Sequence, residues 1–327
     1  MPDEVSIDVV ICTFNNAGLL DRTLEALQTQ ILPPGVDWRI LVVDNNCTDE
    51  TPEVVAHRSL SSPVPLRRVA EPIPGLTPAR VCGVRNTSAT WIAFVDDDCL
   101  LADDWIEQAA RFAEEHPECG AFGGRIVLDW EVPPPEFIVT FPFAFAGKNH
   151  GDTAKRRPWV AGAGMVVRRE AIEACGWVDE QFLADRVGRR PVSGGDMEIA
   201  LRIAARYEVW YNPRCSLRHV IPVRRMSREY LRKILFELGA SRHNADALTW
   251  RGSYSSWLPY SAALSAGFAV AGLARLGRGL VGPQERHDGP AALGPTLGWW
   301  SAMWTMLRME TSKRRRLLGC AVKLTGR

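Results

Sequence analysis

The sequence predicts an α/β protein: a mostly parallel sheet flanked by helices, followed by a helical C-terminal extension. Three observations predict it. Over the first hundred residues, apolar β-branched runs alternate with amphipathic stretches; three of those runs end in polar clusters; and beyond His219 the chain turns basic and apolar. Continuous apolar runs joined by helices mark a parallel sheet covered on both faces, and such sheets bind ligands at the carboxyl ends of their strands. The 327 residues, 46% hydrophobic and 24% charged, hold one large domain or two modest ones. We expect a sheet domain over residues 1–222, with halves meeting near residue 100, and a basic, apolar helical region over 223–327.

In chain order, Asp8 to Cys12 reads as a buried strand that ends at Thr13-Phe14-Asn15-Asn16, and Leu19 to Gln28 as a helix. Arg39 to Val43 is a second strand, stopped by Asp44-Asn45-Asn46, with a helix from Thr51 to His57. Trp91 to Val95 is a further strand running into Asp96-Asp97-Asp98. Residues 132–158, rich in Pro, Phe and Gly, have little periodicity and read as a long irregular excursion of the kind that frames substrates. Trp159 to Val167 is strand-like, Arg169 to Cys175 and Met197 to Ala205 helical, and Glu208 to Tyr211 a short strand.

Charge divides the chain. Residues 1–219 carry 22 Lys/Arg against 32 Asp/Glu, and residues 220–327 carry 17 against 6. The basic end predicts contact with an anionic surface; mutual neutralisation of the two halves is the plainer alternative. A basic helix spans Arg228 to Gly239, followed by uncharged runs of 23 residues from Gly252 and 19 from Gly289, interrupted by Pro259 and Pro295. Trp257, Tyr260, Trp299, Trp300 and Trp304 suit a membrane interface and Lys313 to Arg316 suit anionic headgroups, so an interfacial or re-entrant hairpin, true spans and soluble packing helices all stand as readings. Apolar runs in place of a stacking platform argue against nucleic acid as a partner. Eight cysteines without a CxxC pair disfavour zinc ribbons and thioredoxin-type sites, and read as core residues of a reducing compartment. The acidic start, Met1-Pro2-Asp3-Glu4, is unlike a signal peptide.

Three adjacent carboxylates at Asp96, Asp97 and Asp98 repel one another unless solvent or a cation intervenes. A hard divalent metal with oxygen ligands relieves that repulsion and shares its other positions with phosphate oxygens; a solvated helix-capping turn is the bland alternative. Asp196 follows Gly194-Gly195 at a helix start, where it serves as an ordinary cap or as a base that deprotonates an acceptor hydroxyl. His219 is open to three roles: metal ligand, phosphate contact or buried structural histidine. Arg80 brings to the same cleft a guanidinium suited to phosphate, or makes a surface salt bridge.

Taken in order, these clusters resemble the family 2 inverting glycosyltransferases of GT-A fold. The likeness rests on Ile11 to Asn16, on Val42 to Asn46 with Thr48 to Thr51, on Gly75 to Arg80 and on Ala93 to Asp98. It continues through Gly162 to Met165 with Arg168 to Glu170, Gly176 to Glu180 and Gly195 to Glu198, covering about residues 6–240. The resemblance implies that Thr13, Phe14, Asn15, Asp44, Asn46 and Arg80 hold a nucleotide-diphosphate sugar, a UDP-sugar being favoured. It implies that Asp96 faces the ribose or metal, that Asp98 binds Mn2+ or Mg2+ with Asp96 and His219, and that Asp97 supports them. Asp196 is then the base for in-line displacement with inversion, and the acceptor a glycan or lipid-linked saccharide at the cytoplasmic face of the cell membrane. The sequence departs from the family pattern at Gly195, at Val81 and in the loose Arg224-Arg225-Met226-Ser227 segment. A hydrolase with an aspartate nucleophile and a non-catalytic nucleotide-binding or scaffold relative are the competing readings. Cys99 stands where the hydrolase needs a hydroxyl, and the intact acidic set argues against the relative.

Overall fold

The computed structural model describes residues 5–31, 35–183, 194–281 and 290–323. Its strands are β1 (Ser6–Thr13), β2 (Asp37–Asp44), β3 (Leu66–Ala70), β4 (Trp91–Asp96), β5 (Cys99–Leu101), β6 (Cys119–Gly123), β7 (Ile126–Trp130), β8 (Lys155–Arg156), β9 (Met165–Arg168), β10 (Glu208–Tyr211) and β11 (Leu217–Ile221). Eight of them form one sheet in the order β3-β2-β1-β4-β9-β6-β10-β8, and β5-β11-β7 form a second. The pairs β3/β2, β2/β1 and β1/β4 are parallel, as the apolar runs predict, while β9 runs antiparallel between β4 and β6. The chain builds outward from β1 through β2 to β3, then returns to lay β4 on the other side of β1. The carboxyl ends of β1 and β4, at Thr13 and Asp96, therefore flank a crevice where the strand order reverses, the place an open α/β sheet offers a ligand.

Both faces of the sheet are covered. Ile7, Val9 and Ile11 of β1 pack with Leu20, Leu24 and Leu27 of α1 (Ala17–Gln28), Val55 of α2 (Thr51–Ser61) and apolar residues of α4 (Trp105–Glu115). Val10 turns the other way, onto a layer containing Ala79 of α3 (Leu76–Arg85), Ala171 of α6 (Arg169–Ala174) and Ile199 of α7 (Gly195–Ile203). Period-2 alternation sends both sets into apolar layers, so the strand has no polar face to read.

Two local expectations change. Trp159 to Val167 is strand only from Met165: residues 159–164 curl past α7, and Gly164 adopts φ +73°, which a side-chain-bearing residue rarely takes. The 132–158 excursion is irregular but contains a helical turn, α5 (Glu136–Val139), a 3-10 turn over Pro142–Phe145, and β8.

Beyond Ile221 the chain is helical: α8 (Arg228–Leu248), α9 (Tyr254–Val281), α10 (Gly294–Arg308), α11 (Thr311–Leu317) and α12 (Cys320–Lys323). The Ser227 hydroxyl accepts from Tyr230 N at 3.1 Å to start α8, which continues nine residues past the expected end at Gly239. Neither proline interrupts a helix. Pro259 sits near the start of α9, and Pro295 in the first turn of α10, where its missing N–H costs nothing. At the crossing of α8 and α10 a Cβ on Gly298 would lie 1.8 Å from Phe236 O, so the two backbones touch. Trp299 is fully buried there and donates to Ser261 O of α9 at 3.2 Å. Outward, Val270, Leu273, Leu297, Trp300 and Trp304 remain exposed. Among the described residues only Tyr254–Ala274 is long and apolar enough to cross a membrane; the 15 residues of α10 reach about 22 Å, short of a bilayer core. One apolar cluster joins Ile138 and Phe145 to Leu231 and Leu235, so packing is continuous across the expected boundary at residues 222 and 223.

Candidate active site

The carboxylate run lies at the end of β4 because the chain turns back there: β4 ends at Asp96 and β5 starts at Cys99. β5 pairs antiparallel with β11, His219 opposite Cys99, and Val220 N donates to Asp98 O at 2.8 Å. This pairing across 120 residues brings His219 to the acids.

Each aspartate faces a different environment. Asp97 accepts from Thr13 Oγ1 at 2.7 Å and Asn16 Nδ2 at 2.8 Å, while Thr23 Oγ1 donates to its carbonyl at 3.1 Å, so it ties the loop after β1 to the end of β4. Burial and the neighbouring Asp98 charge push its carboxyl up to about 7, against the pull of those hydrogen bonds. Asp98 is 2% exposed and lies between an imidazole and a guanidinium: its Oδ1 is 3.2 Å from His219 Nε2 and its Oδ2 2.9 Å from Arg225 Nη1. Burial opposes the charge on both partners and the Asp98 carboxylate outweighs it, so both pKa values are raised. Asp96 is half-buried and lines the cleft.

This donor set fits a divalent metal. Phe145 O, an acceptor only, lies 2.9 Å from His219 Nδ1, so that nitrogen carries the proton and Nε2 is aimed at Asp98. Asp96, Asp98 and Cys99 offer ligand atoms within 4.8 Å of one another. Burial and then the Asp98 charge hold the Cys99 thiol well above its ordinary range, so it stays a protonated core group, a poor ligand for a hard ion. Asp96 and Asp98 would hold the metal, with His219 Nε2 beside Asp98 at 3.2 Å. Arg225, which the sequence offers only within the loose Arg224-Arg225-Met226-Ser227 segment, supplies positive charge beside Asp98. Only its place six residues after His219, in a 3-10 turn, signals it.

On one side of Asp96 an open cleft of about 440 Å³ is lined by Thr13, Phe14, Asn15, Asp97 and Arg225, with Asn45 added by the structure. Asn15, at φ +51°, accepts from Thr48 N at 2.7 Å, which locks the loops after β1 and β2 together and leaves Phe14 38% exposed on the cleft wall. Asp44, which is buried, and Asn46, which is exposed, are not among the residues that line this cleft. Asp44 accepts from Cys47 N at 2.8 Å and Arg68 Nη1 at 2.6 Å, and Asn46 donates to Glu71 O and Pro72 O at 3.2 Å. Arg68 sits on β3, a strand the sequence pass does not mark.

On the other side of Asp96 a second, smaller cleft holds Asp196, Arg80, Lys148, Trp159 and His219. Asp196 stands in the first turn of α7 and accepts from Gly162 N at 2.8 Å and Met197 N at 2.9 Å. A Cβ on Gly162 would lie 2.7 Å from Arg80 Nη2 and 2.8 Å from Asp196 Cβ, so glycine is what lets the three segments meet. Arg80, 4% exposed, therefore belongs to this side. Behind α7, the fully buried Glu198 accepts from Leu183 N at 2.8 Å and pairs with Arg202 at 3.0 Å, and Arg202 donates to Cys175 O. The sequence places neither residue in the site; they fasten the helix that presents Asp196.

The glycosyl transferase family 2 model matches residues 8–176. The glucosyl-dolichyl phosphate glucuronosyltransferase of Haloferax volcanii is 24% identical over 262 residues, which cover 75% of this chain and 78% of that one. The validoxylamine A glucosyltransferase of Streptomyces hygroscopicus subsp. limoneus is 32% identical over 47% of this chain, and the match spans only 34% of that protein. A mannosyltransferase from Pyrobaculum calidifontis, solved with GDP-Man and Mn2+, shares the fold with a TM-score of 0.59 and 21% identity, over 91% of this chain and 86% of that one.

Proposed function

The chain belongs to glycosyl transferase family 2 and is a glycosyltransferase, and from that premise we propose that it moves a sugar, with inversion, from a nucleoside diphosphate sugar to an acceptor hydroxyl. One observation carries the reading: the two clefts share Asp96 and Arg225, with Phe14 at one end and Asp196 at the other. In-line displacement needs the base and the leaving diphosphate on opposite sides of the anomeric carbon, and this arrangement supplies both places. Phe14 stacks on the base, Thr13 and Asn15 hold the nucleoside, and Arg225 meets the diphosphate. Asp196 takes the proton of the acceptor hydroxyl, its orientation fixed by the two backbone N–H groups. Asp96, Asp98 and His219 hold Mn2+ or Mg2+, which when bound offsets the charge that develops on the departing diphosphate.

The acceptor is a lipid-linked saccharide, a reading supported by the dolichyl-phosphate substrate in the name of the Haloferax volcanii relative. The exposed apolar face of α9 and α10 lies on the cytoplasmic surface of the membrane, with the exposed Lys313 and Arg315 towards anionic headgroups.

The test is calorimetric titration of the protein with UDP, GDP, dTDP and CDP, each with and without Mn2+, on the wild type and on Asp98→Ala. Metal-dependent binding of one nucleotide that vanishes in the variant supports the donor site; absence of binding under every condition contradicts it.

A further inference from the structure

Lys148 stands opposite the base in the second cleft, and nothing in the reaction outlined above employs it. Two backbone hydrogen bonds with Ile126, at 2.8 and 3.1 Å, fix its position within the irregular excursion. Its ammonium lies over the Trp159 indole, 5.0 Å from the ring centroid. Among the described residues the side chain has no ion pair and no hydrogen-bond acceptor. Burial works against its charge, and the Asp196 carboxylate across the cleft works for it. Asp196 is already held by Gly162 N and Met197 N. A half-buried ammonium that touches no acceptor among the described residues is stabilised further by an anion that a ligand brings.

The surroundings specify which ligand. Phe143, Ile234 and Leu238 line the same cleft, so its wall is apolar beside the cation. Ile234 and Leu238 lie on α8, and α8 packs through Phe236 and Gly239 against α10, which exposes Trp300 and Trp304. One helix thus connects the cleft to the outward apolar face. We infer that Lys148 binds a phosphate on the acceptor, esterified to an apolar chain that lies along Phe143, Ile234 and Leu238. This assignment rests on the glycosyl-transfer reading of the cleft, and makes Lys148 a determinant of acceptor class.

The test titrates the full chain, in EDTA, with octyl phosphate, inorganic phosphate and the uncharged octyl glucoside. The wild type should bind octyl phosphate about tenfold tighter than either other probe, and Lys148→Ala should lose about that factor for octyl phosphate only, while Lys148→Arg retains most of it. Octyl phosphate binding that does not depend on Lys148 overturns the assignment. Inorganic phosphate bound as tightly as octyl phosphate makes the ligand a free anion, and loss of nucleotide affinity in Lys148→Ala moves the residue to the donor diphosphate; either result overturns it as well. Nucleotide titration of the same proteins, with Mn2+ in place of EDTA, separates the two readings. A wild type that takes no nucleotide contradicts glycosyl transfer, whereas Lys148-independent octyl phosphate binding contradicts only the acceptor assignment.

Discussion

The sheet and the C-terminal helices are held together by different means. At the carboxyl edge of the sheet, polar groups do the fastening: Asp97 to Thr13 and Asn16, Asn15 to Thr48, and the buried Glu198 to Arg202. In the helices, glycines and tryptophans do it, with Gly298 against Phe236 and Trp299 against Ser261, and large apolar side chains point outward. Each polar fastener has one geometry that satisfies it, so the sheet edge positions charge accurately. Backbone contact and apolar packing hold helices together while sparing their outer faces for another apolar phase. On the proposed reading, chemistry belongs to the first region and attachment to the second.

The sharpest break of this contrast is Glu198→Ala, which leaves the buried Arg202 without its charge partner and costs about 3–5 kcal/mol. Transfer should fall with it as α7 loosens, whereas helix–membrane contact stays, checked by urea unfolding and vesicle flotation of one preparation. In the other region, Gly298→Leu forces the α8–α10 backbones apart and should cost about 1–3 kcal/mol. Nucleotide affinity should survive that change, and its loss would show that the two regions are one cooperative unit.

His243 offers a comparable test by pH. It is fully buried on α8, edge-on to Trp257 and Trp299, and burial lowers its pKa from 6.5 to about 4. The folded form disfavours the proton, so this contribution is complete above about pH 6.5 and is lost as pH falls towards 4, roughly 3 kcal/mol in all. His243→Phe should flatten that part of the stability profile; an unchanged slope in calorimetry assigns it to other groups. The smallest effect on stability is expected of Trp300→Ser with Trp304→Ser, which should leave the melting temperature nearly unchanged while weakening binding to anionic vesicles by about 1–3 kcal/mol per Trp.

Legibility in the sequence follows the same division. β1, β2 and β4 are continuous apolar runs that stop at Thr13, Asp44 and Asp96, so strand ends and site residues are read together. Asp98 and His219 are legible as candidates, but their meeting depends on the pairing of β5 with β11, and three buried residues at Cys99–Leu101 carry no period to announce a strand. Arg225 and Lys148 lie in a 3-10 turn and an irregular stretch, where function comes from tertiary placement that no local pattern encodes. Asp44 is a ligand contact by the family resemblance; its pairing with Arg68 appears only once β3 is laid beside β2. In the helices, Pro295 looks like an interruption in an apolar run and proves to be a start.

The central claim is that Asp196 is the base of an inverting transfer. Its most direct test is proton NMR of the sugar released or transferred from the nucleotide sugar that the titration identifies, for the wild type and Asp196→Asn. The account predicts a product of inverted anomeric configuration, a rate at least about 10²–10⁴-fold lower in the variant, and unchanged nucleotide affinity. Retained configuration, or a variant that transfers at the wild-type rate, would contradict it.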